Sequence, residues 1–126
     1  MNSKKLNVIL AIFFVMLIAG CGSQTQSAPS APTNVTASPG NGQITLAWTA
    51  VPGATSYNIY WSTTTGVTPT TGTKITDATN PYIHSPLTIV VFYYYVVTAV
   101  NSAGESAAST QVFSVPAILG PYPLGS

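Results

Sequence analysis

The chain has 126 residues, and only 4% of them are charged: Lys and Arg number three, Asp and Glu two, with one His. All three cations are lysines, and two of them, Lys4 and Lys5, lie at the extreme N-terminus. A nucleic-acid-binding face, which needs clustered Lys and Arg against phosphates, is therefore excluded, and a single Cys excludes an internal disulfide.

Lys4 and Lys5 precede an apolar run from Val8 to Ala19. A membrane-spanning helix needs about 20 apolar residues, so this shorter run has the proportions of an export signal. It ends in Leu17-Ile18-Ala19-Gly20-Cys21, small residues leading into the sole thiol. Ile18-Ala19-Gly20-Cys21 resembles the lipobox of bacterial lipoproteins. The resemblance implies removal of residues 1–20, a diacylglyceryl group on the Cys21 sulfur and acylation of the new amine. Each buried methylene contributes about 0.8 kcal/mol, so several acyl chains hold where one is marginal. The expected location is the cell envelope, facing the periplasm or the exterior. Gly22 after the cysteine implies the outer membrane for a Gram-negative source. Two plainer readings stay open: a secretory signal in which Cys21 is incidental, and an uncleaved N-terminal anchor. Once Lys4 and Lys5 leave with the signal, Lys74 faces Asp77 and Glu105 alone.

Residues 21–32 comprise the cysteine and a Ser/Gln/Pro-rich stretch without apolar periodicity, expected to be a flexible linker. From Thr33 short alternating segments take over. Val35 and Ala37 alternate in a first strand, ended by Ser38-Pro39-Gly40-Asn41-Gly42. Ile44, Leu46 and Trp48 alternate in a second, and Pro52-Gly53 turns it. Tyr57, Ile59 and Trp61 share one side of a third strand, with Asn58, Tyr60 and Ser62 on the other. A Thr/Gly-rich loop spans 63–72. Short strands are predicted over 74–76 and 81–83, a long one within 91–100, and a last one from about Ala107 to Phe113. Residues 116–126 form a Pro/Gly-rich tail. Several short strands separated by turn residues, with no 3.6-residue period, predict an all-β antiparallel sandwich of about seven strands.

Residues 33–115 resemble a fibronectin type III domain. The resemblance rests on Pro32, Ile44-Thr-Leu-Ala-Trp48, Gly53-Ala-Thr-Ser-Tyr57-Asn-Ile59-Tyr60-Trp61, Leu87 six residues before Tyr93, and Tyr95-Val-Val97-Thr-Ala99-Val-Asn101-Ser-Ala-Gly104-Glu-Ser106. It implies a seven-stranded immunoglobulin-like sandwich with Trp48 central in the core. Tyr93 would be a corner tyrosine whose hydroxyl bonds backbone near the turn before it, and Leu87 would plug the same end. One departure stands out. That turn usually carries small polar residues, and here it reads Thr88-Ile89-Val90-Val91-Phe92.

The residues offer no catalytic constellation. Asp77 and Glu105 fall in or beside loops at opposite parts of the predicted sandwich, whereas paired-carboxylate chemistry needs two such groups about 5–10 Å apart. His84 has no Cys or second His beside it for a zinc site, and no Gly-x-Ser-x-Gly elbow exists. His84 reads as a structural turn residue. Asn34-Val35-Thr36 fits a glycosylation sequon and carries no weight in a bacterial lipoprotein. Without Arg, an Arg-Gly-Asp attachment loop is impossible. No cofactor or metal is expected.

Two surfaces could bind a partner. Alternation points Tyr60 and Tyr94 away from the core on neighbouring strands, either as a platform or as a cross-strand pair that stabilises the sheet. Ile89 to Phe92 is either an exposed apolar knob or extra core. The expected function is a non-catalytic, lipid-anchored surface module for protein–protein contact or spacing; a carbohydrate-binding accessory module is the alternative. The expected partners are the membrane, through the anchor, and a protein or polysaccharide.

Overall fold

The computed structural model describes residues 25–118. Cys21, the expected signal and residues 119–126 lie outside the described residues. Eight strands follow in order: β1 Thr33–Gly40, β2 Gln43–Thr49, β3 Ser56–Ser62, β4 Thr73–Ile75, β5 Tyr82–His84, β6 Tyr93–Asn101, β7 Gly104–Glu105 and β8 Val112–Ser114. They form two sheets, β1-β2-β5 and β4-β3-β6-β7, with β8 also pairing β6. All the strand pairings are antiparallel. Both β7 and β8 lie along β6, as two halves of one interrupted strand, so the seven-stranded sandwich expected from the sequence is present.

The interruption has a chemical cause. Of the strand predicted over 107–113 only Val112 and Phe113 are regular, and the other half of the edge lies upstream of it at Gly104–Glu105. Between them, the Ser106 and Ser109 hydroxyls accept from the backbone N–H groups of Ala99 and Val97, each at 2.9 Å. Ser106 N and Ser109 N donate in turn to the carbonyls of Ala99 and Val97. Short hydroxyl side chains thus substitute for backbone acceptors, which keeps β6 paired while its neighbour bends away.

The period-two pattern sets the core. Ile44, Leu46 and Trp48 of β2 meet Ile59, Tyr93, Tyr95 and Val97 across the sheets, with Leu87, Trp61 and Tyr57 packed at the margin. Trp48 packs edge-on against Tyr57, ring centroids 5.1 Å apart. Its backbone is held by Asn80, whose Nδ2 donates to Trp48 O at 2.7 Å while its Oδ1 accepts from Trp48 N at 3.2 Å. Tyr93 is buried and its hydroxyl accepts from Thr88 N at 3.1 Å, the corner geometry the sequence implies. His84 is not a turn residue. It ends β5, half-buried among Trp61, Tyr82, Tyr93 and Tyr95, with Nδ1 3.0 Å from the Tyr95 hydroxyl.

Of the expected linker, residues 25–32 are described. Asn101 Nδ2 donates to Ser27 O at 2.8 Å, Ser102 Oγ donates to Gln26 Oε1 at 2.7 Å, and Pro32 is buried. Gln26 and Ser27 therefore lie against the β6–β7 turn.

Candidate functional site

Register defines one face. The β3–β6 partners Asn58↔Thr98, Tyr60↔Val96 and Ser62↔Tyr94, and the β6–β8 partner Tyr94↔Phe113, set all seven side chains on the outer side of the five-stranded sheet. Near the β6–β7 turn this face is polar, in its middle it is covered, and towards the start of β6 it is open.

At the polar end Glu105 Oε1 accepts three hydrogen bonds: from Thr98 Oγ1 at 2.5 Å, Tyr60 OH at 2.6 Å and Asn58 Nδ2 at 3.1 Å. Burial alone would raise the Glu105 pKa. The bonds from Thr98, Tyr60 and Asn58, with the charge of Lys74, outweigh that and hold it below the usual value. The Tyr60 hydroxyl is shifted up by burial and then by Glu105, with Lys74 acting in the opposite direction. The Lys74 ammonium lies 5.7 Å from the Tyr60 ring centroid.

The middle is where the expectation for Tyr60 fails. Its side chain does point away from the main core, but it is only 3% exposed. The 63–72 loop folds over the sheet and places Val67 on Tyr60 and Val96, making a second small core. Gln111 pins this loop: its Oε1 accepts from Gly66 N at 2.8 Å and Val67 N at 3.0 Å, and its Nε2 donates to Thr65 Oγ1 at 3.2 Å. Gly72 lets the loop close, because a Cβ there would stand 2.6 Å from Val67 Cγ2 and 3.0 Å from Tyr60 Cβ. Tyr60 and Tyr94 do share the face, but Tyr60 offers no free platform. Within this loop, where it leaves β3, a groove of about 370 Å³ is lined by Ser62, Thr64, Thr65, Gly66, Val67 and Thr71.

At the open end Tyr94 clusters with two phenylalanines. Phe92 and Tyr94 ring centroids lie 6.4 Å apart at 22°, Tyr94 and Phe113 5.8 Å apart at 38°, and Phe92 and Phe113 6.0 Å apart at 44°. Phe92 is 49% exposed and Phe113 59%. Phe113 went unremarked in the sequence, although alternation within Val112-Phe113-Ser114 already turns it outward.

The Ile89–Phe92 segment divides between the two readings left open for it. Val91 packs on the core and Ile89 is half-buried, while Val90 is 80% exposed. Val90 adopts φ 65°, an unfavourable conformation for a β-branched residue, with its N–H donating to Pro116 O at 3.2 Å. Beside it Ile89, Val90, Val115, Pro116, Ala117 and Ile118 line an apolar groove of about 380 Å³.

Among the described residues no group of three His, Cys, Asp or Glu side chains converges to hold a metal ion. Glu105 has its active oxygen committed to three donors. The open part of the face is aromatic and uncharged.

Residues 30–115 match the family of the fibronectin type III domain. An amylopullulanase of Thermoanaerobacterium saccharolyticum is 39% identical over 124 residues, 93% of this chain and 9% of that protein. A poly(3-hydroxybutyrate) depolymerase of Ralstonia pickettii is 40% identical over 95 residues, 72% of this chain and 17% of that protein. The chain thus spans a small fraction of the curated relatives it matches. Among solved structures, a crystal structure of an Fn3-like protein from Clostridium thermocellum gives a TM-score of 0.58 at 35% identity, covering 69% of this chain and 92% of that one. The fn3 domain of human collagen alpha-1(XX) chain gives 0.61 at 20% identity, covering 82% and 99%. That second likeness is one of fold alone.

Proposed function

The chain belongs to the fibronectin type III family, and from that premise we propose that it is a non-catalytic accessory module. In this reading it is held to the cell envelope through acyl groups on Cys21 and presents its outer sheet face to a partner. The observation that carries the presenting role is the open cluster of Phe92, Tyr94 and Phe113. A spacer gains nothing from two half-exposed phenylalanines, which cost solubility. The accessory role is supported by the relatives: in the amylopullulanases and the depolymerase, the matching segment is a small part of a long enzyme chain. The anchor is supported by Lys4-Lys5, the Val8–Ala19 run and Ile18-Ala19-Gly20-Cys21.

Two measurements test this reading. Labelled palmitate should enter the wild-type chain in bacterial cells and not Cys21→Ala, and globomycin should cause the precursor to accumulate. An unlabelled wild-type chain released to the medium would overturn the anchor. The purified chain should release no product from pullulan, starch or polyhydroxybutyrate, and turnover of any of them would overturn the non-catalytic assignment.

A further inference from the structure

We propose that the open end of the outer face is a binding site for a neutral α-linked glucan. The sugar rings would lie on Phe92, Tyr94 and Phe113, and their hydroxyls would reach the groove of Ser62, Thr64, Thr65 and Thr71. The inference rests on the reading of the chain as a binding module and names its ligand class.

Ring orientation is the first argument. The three surface rings are inclined to one another by 22–44° and stand about one pyranose width apart. Their centroids form a triangle with sides of 5.8 to 6.4 Å, and the two phenylalanines keep about half their area open. A pyranose presents a C–H face that packs on such rings and an equatorial rim of hydroxyls.

The second argument is what adjoins the rings. Ser62 is the β-ladder partner of Tyr94, so the hydroxyl-lined groove begins where the aromatic surface ends. Its lining donates and accepts hydrogen bonds without charge. Gln111, near Phe113 on the same chain segment, holds the loop that forms the far wall. Rings next to hydroxyls match a ligand that alternates apolar faces with neutral polar rims.

Charge is the third. Lys74 and Glu105 are drawn together around Tyr60 at the other end of the face. Among the described residues no charged side chain lines the groove or joins the ring cluster. A nucleic acid would stack on the rings but leave its phosphates uncompensated, and an acidic polysaccharide would meet the same difficulty. Similarity to amylopullulanase segments chooses the α-linked glucans among neutral polymers.

The test is affinity electrophoresis of the full chain in native gels with and without pullulan or amylopectin, with calorimetric titration of maltoheptaose. The wild type should be retarded by the glucans. Phe92→Ala and Phe113→Ala should each weaken maltoheptaose binding about tenfold, with only a small drop in melting temperature, since each loses a half-exposed aromatic contact. Phe113→Leu, which keeps apolar bulk but no ring, should weaken it too, and Phe113→Trp should retain it. Thr65→Ala should reduce affinity with the rings intact. Absence of retardation in a folded chain, or binding indifferent to both phenylalanines, overturns the site. Retention by polyhydroxybutyrate particles with no response to glucan overturns it as well, and assigns the rings to an apolar polyester. Each of those results leaves palmitate labelling and the turnover assay untouched, so the module reading stands or falls separately.

Discussion

Tyr60 donates its phenolic hydrogen to Glu105 across 2.6 Å, and that bond ties the covered middle of the outer sheet face to its polar end. Asn58 and Thr98, both buried, depend on the same carboxylate oxygen. One surface residue on a two-residue strand thereby satisfies three donors on β3 and β6.

Replacing Glu105 should therefore cost more than its exposed position suggests. Glu105→Ala leaves buried donors on Asn58 and Thr98 without an acceptor, a loss of about 1–3 kcal/mol. Glu105→Gln, which keeps a carbonyl oxygen at the same reach, should lose less. Urea unfolding of the two variants against wild type measures the difference, and equal losses would count against the shared-oxygen account.

Acidification should weaken the fold in two stages. Burial lowers the His84 pKa from the ordinary 6.5, so the unfolded chain takes up a proton first, and stability falls as pH drops below that value. The groups facing the ring from the neighbouring strands are Trp61, Tyr82, Tyr93 and Tyr95, none of them a carboxylate that would hold the imidazolium. Glu105 has a folded pKa below its ordinary 4.5. Its contribution is complete above that value and is lost as pH falls through the lower folded one. Urea midpoints from pH 8 to pH 3 should show both stages, and His84→Gln should abolish the first alone.

Gly72→Ala should open the loop over Tyr60. The added methyl meets Val67 Cγ2, Tyr60 Cβ and the Thr68 carbonyl at 2.6, 3.0 and 3.2 Å, so the loop must lift. A loss of about 1–3 kcal/mol is expected. Faster amide exchange across residues 66–72, without change in β2 or β5, is the sign to seek.

Trp48→Ala removes the residue at the centre of the larger core and should cost about 3–5 kcal/mol, against a total of about 5–15 kcal/mol for a domain of this kind. Thermal unfolding by circular dichroism reads it directly. Tyr57, whose hydroxyl accepts from Val51 N at 2.8 Å, loses its edge-on partner in this variant.

The core was legible in the sequence because a strand buries alternate residues whatever its neighbours do. Ile44, Leu46, Trp48 and Ile59 needed only period two to be placed, whereas Tyr93 and Leu87 were placed by the resemblance to the fibronectin type III domain. The outer face was less legible, since its burial depends on long-range events. Tyr60 alternates outward as expected, but its cover comes from a loop held by Gln111, over forty residues away in the chain. Phe113 becomes conspicuous only when register sets it beside Tyr94. The apolar turn could not be resolved by composition, because Val90 points out through a positive φ that alternation does not encode.

The bonds from Asn101 and Ser102 to Ser27 and Gln26 give the molecule a polarity. From Cys21 to Gln26 the chain can reach at most about 18 Å. Acyl groups on that cysteine would accordingly keep the β6–β7 turn close above the lipid headgroups. Tyr94 stands at the opposite end of β6, about 24 Å further along the strand. In the proposed anchored form, the phenylalanines would therefore belong to the end of the module remote from its point of attachment.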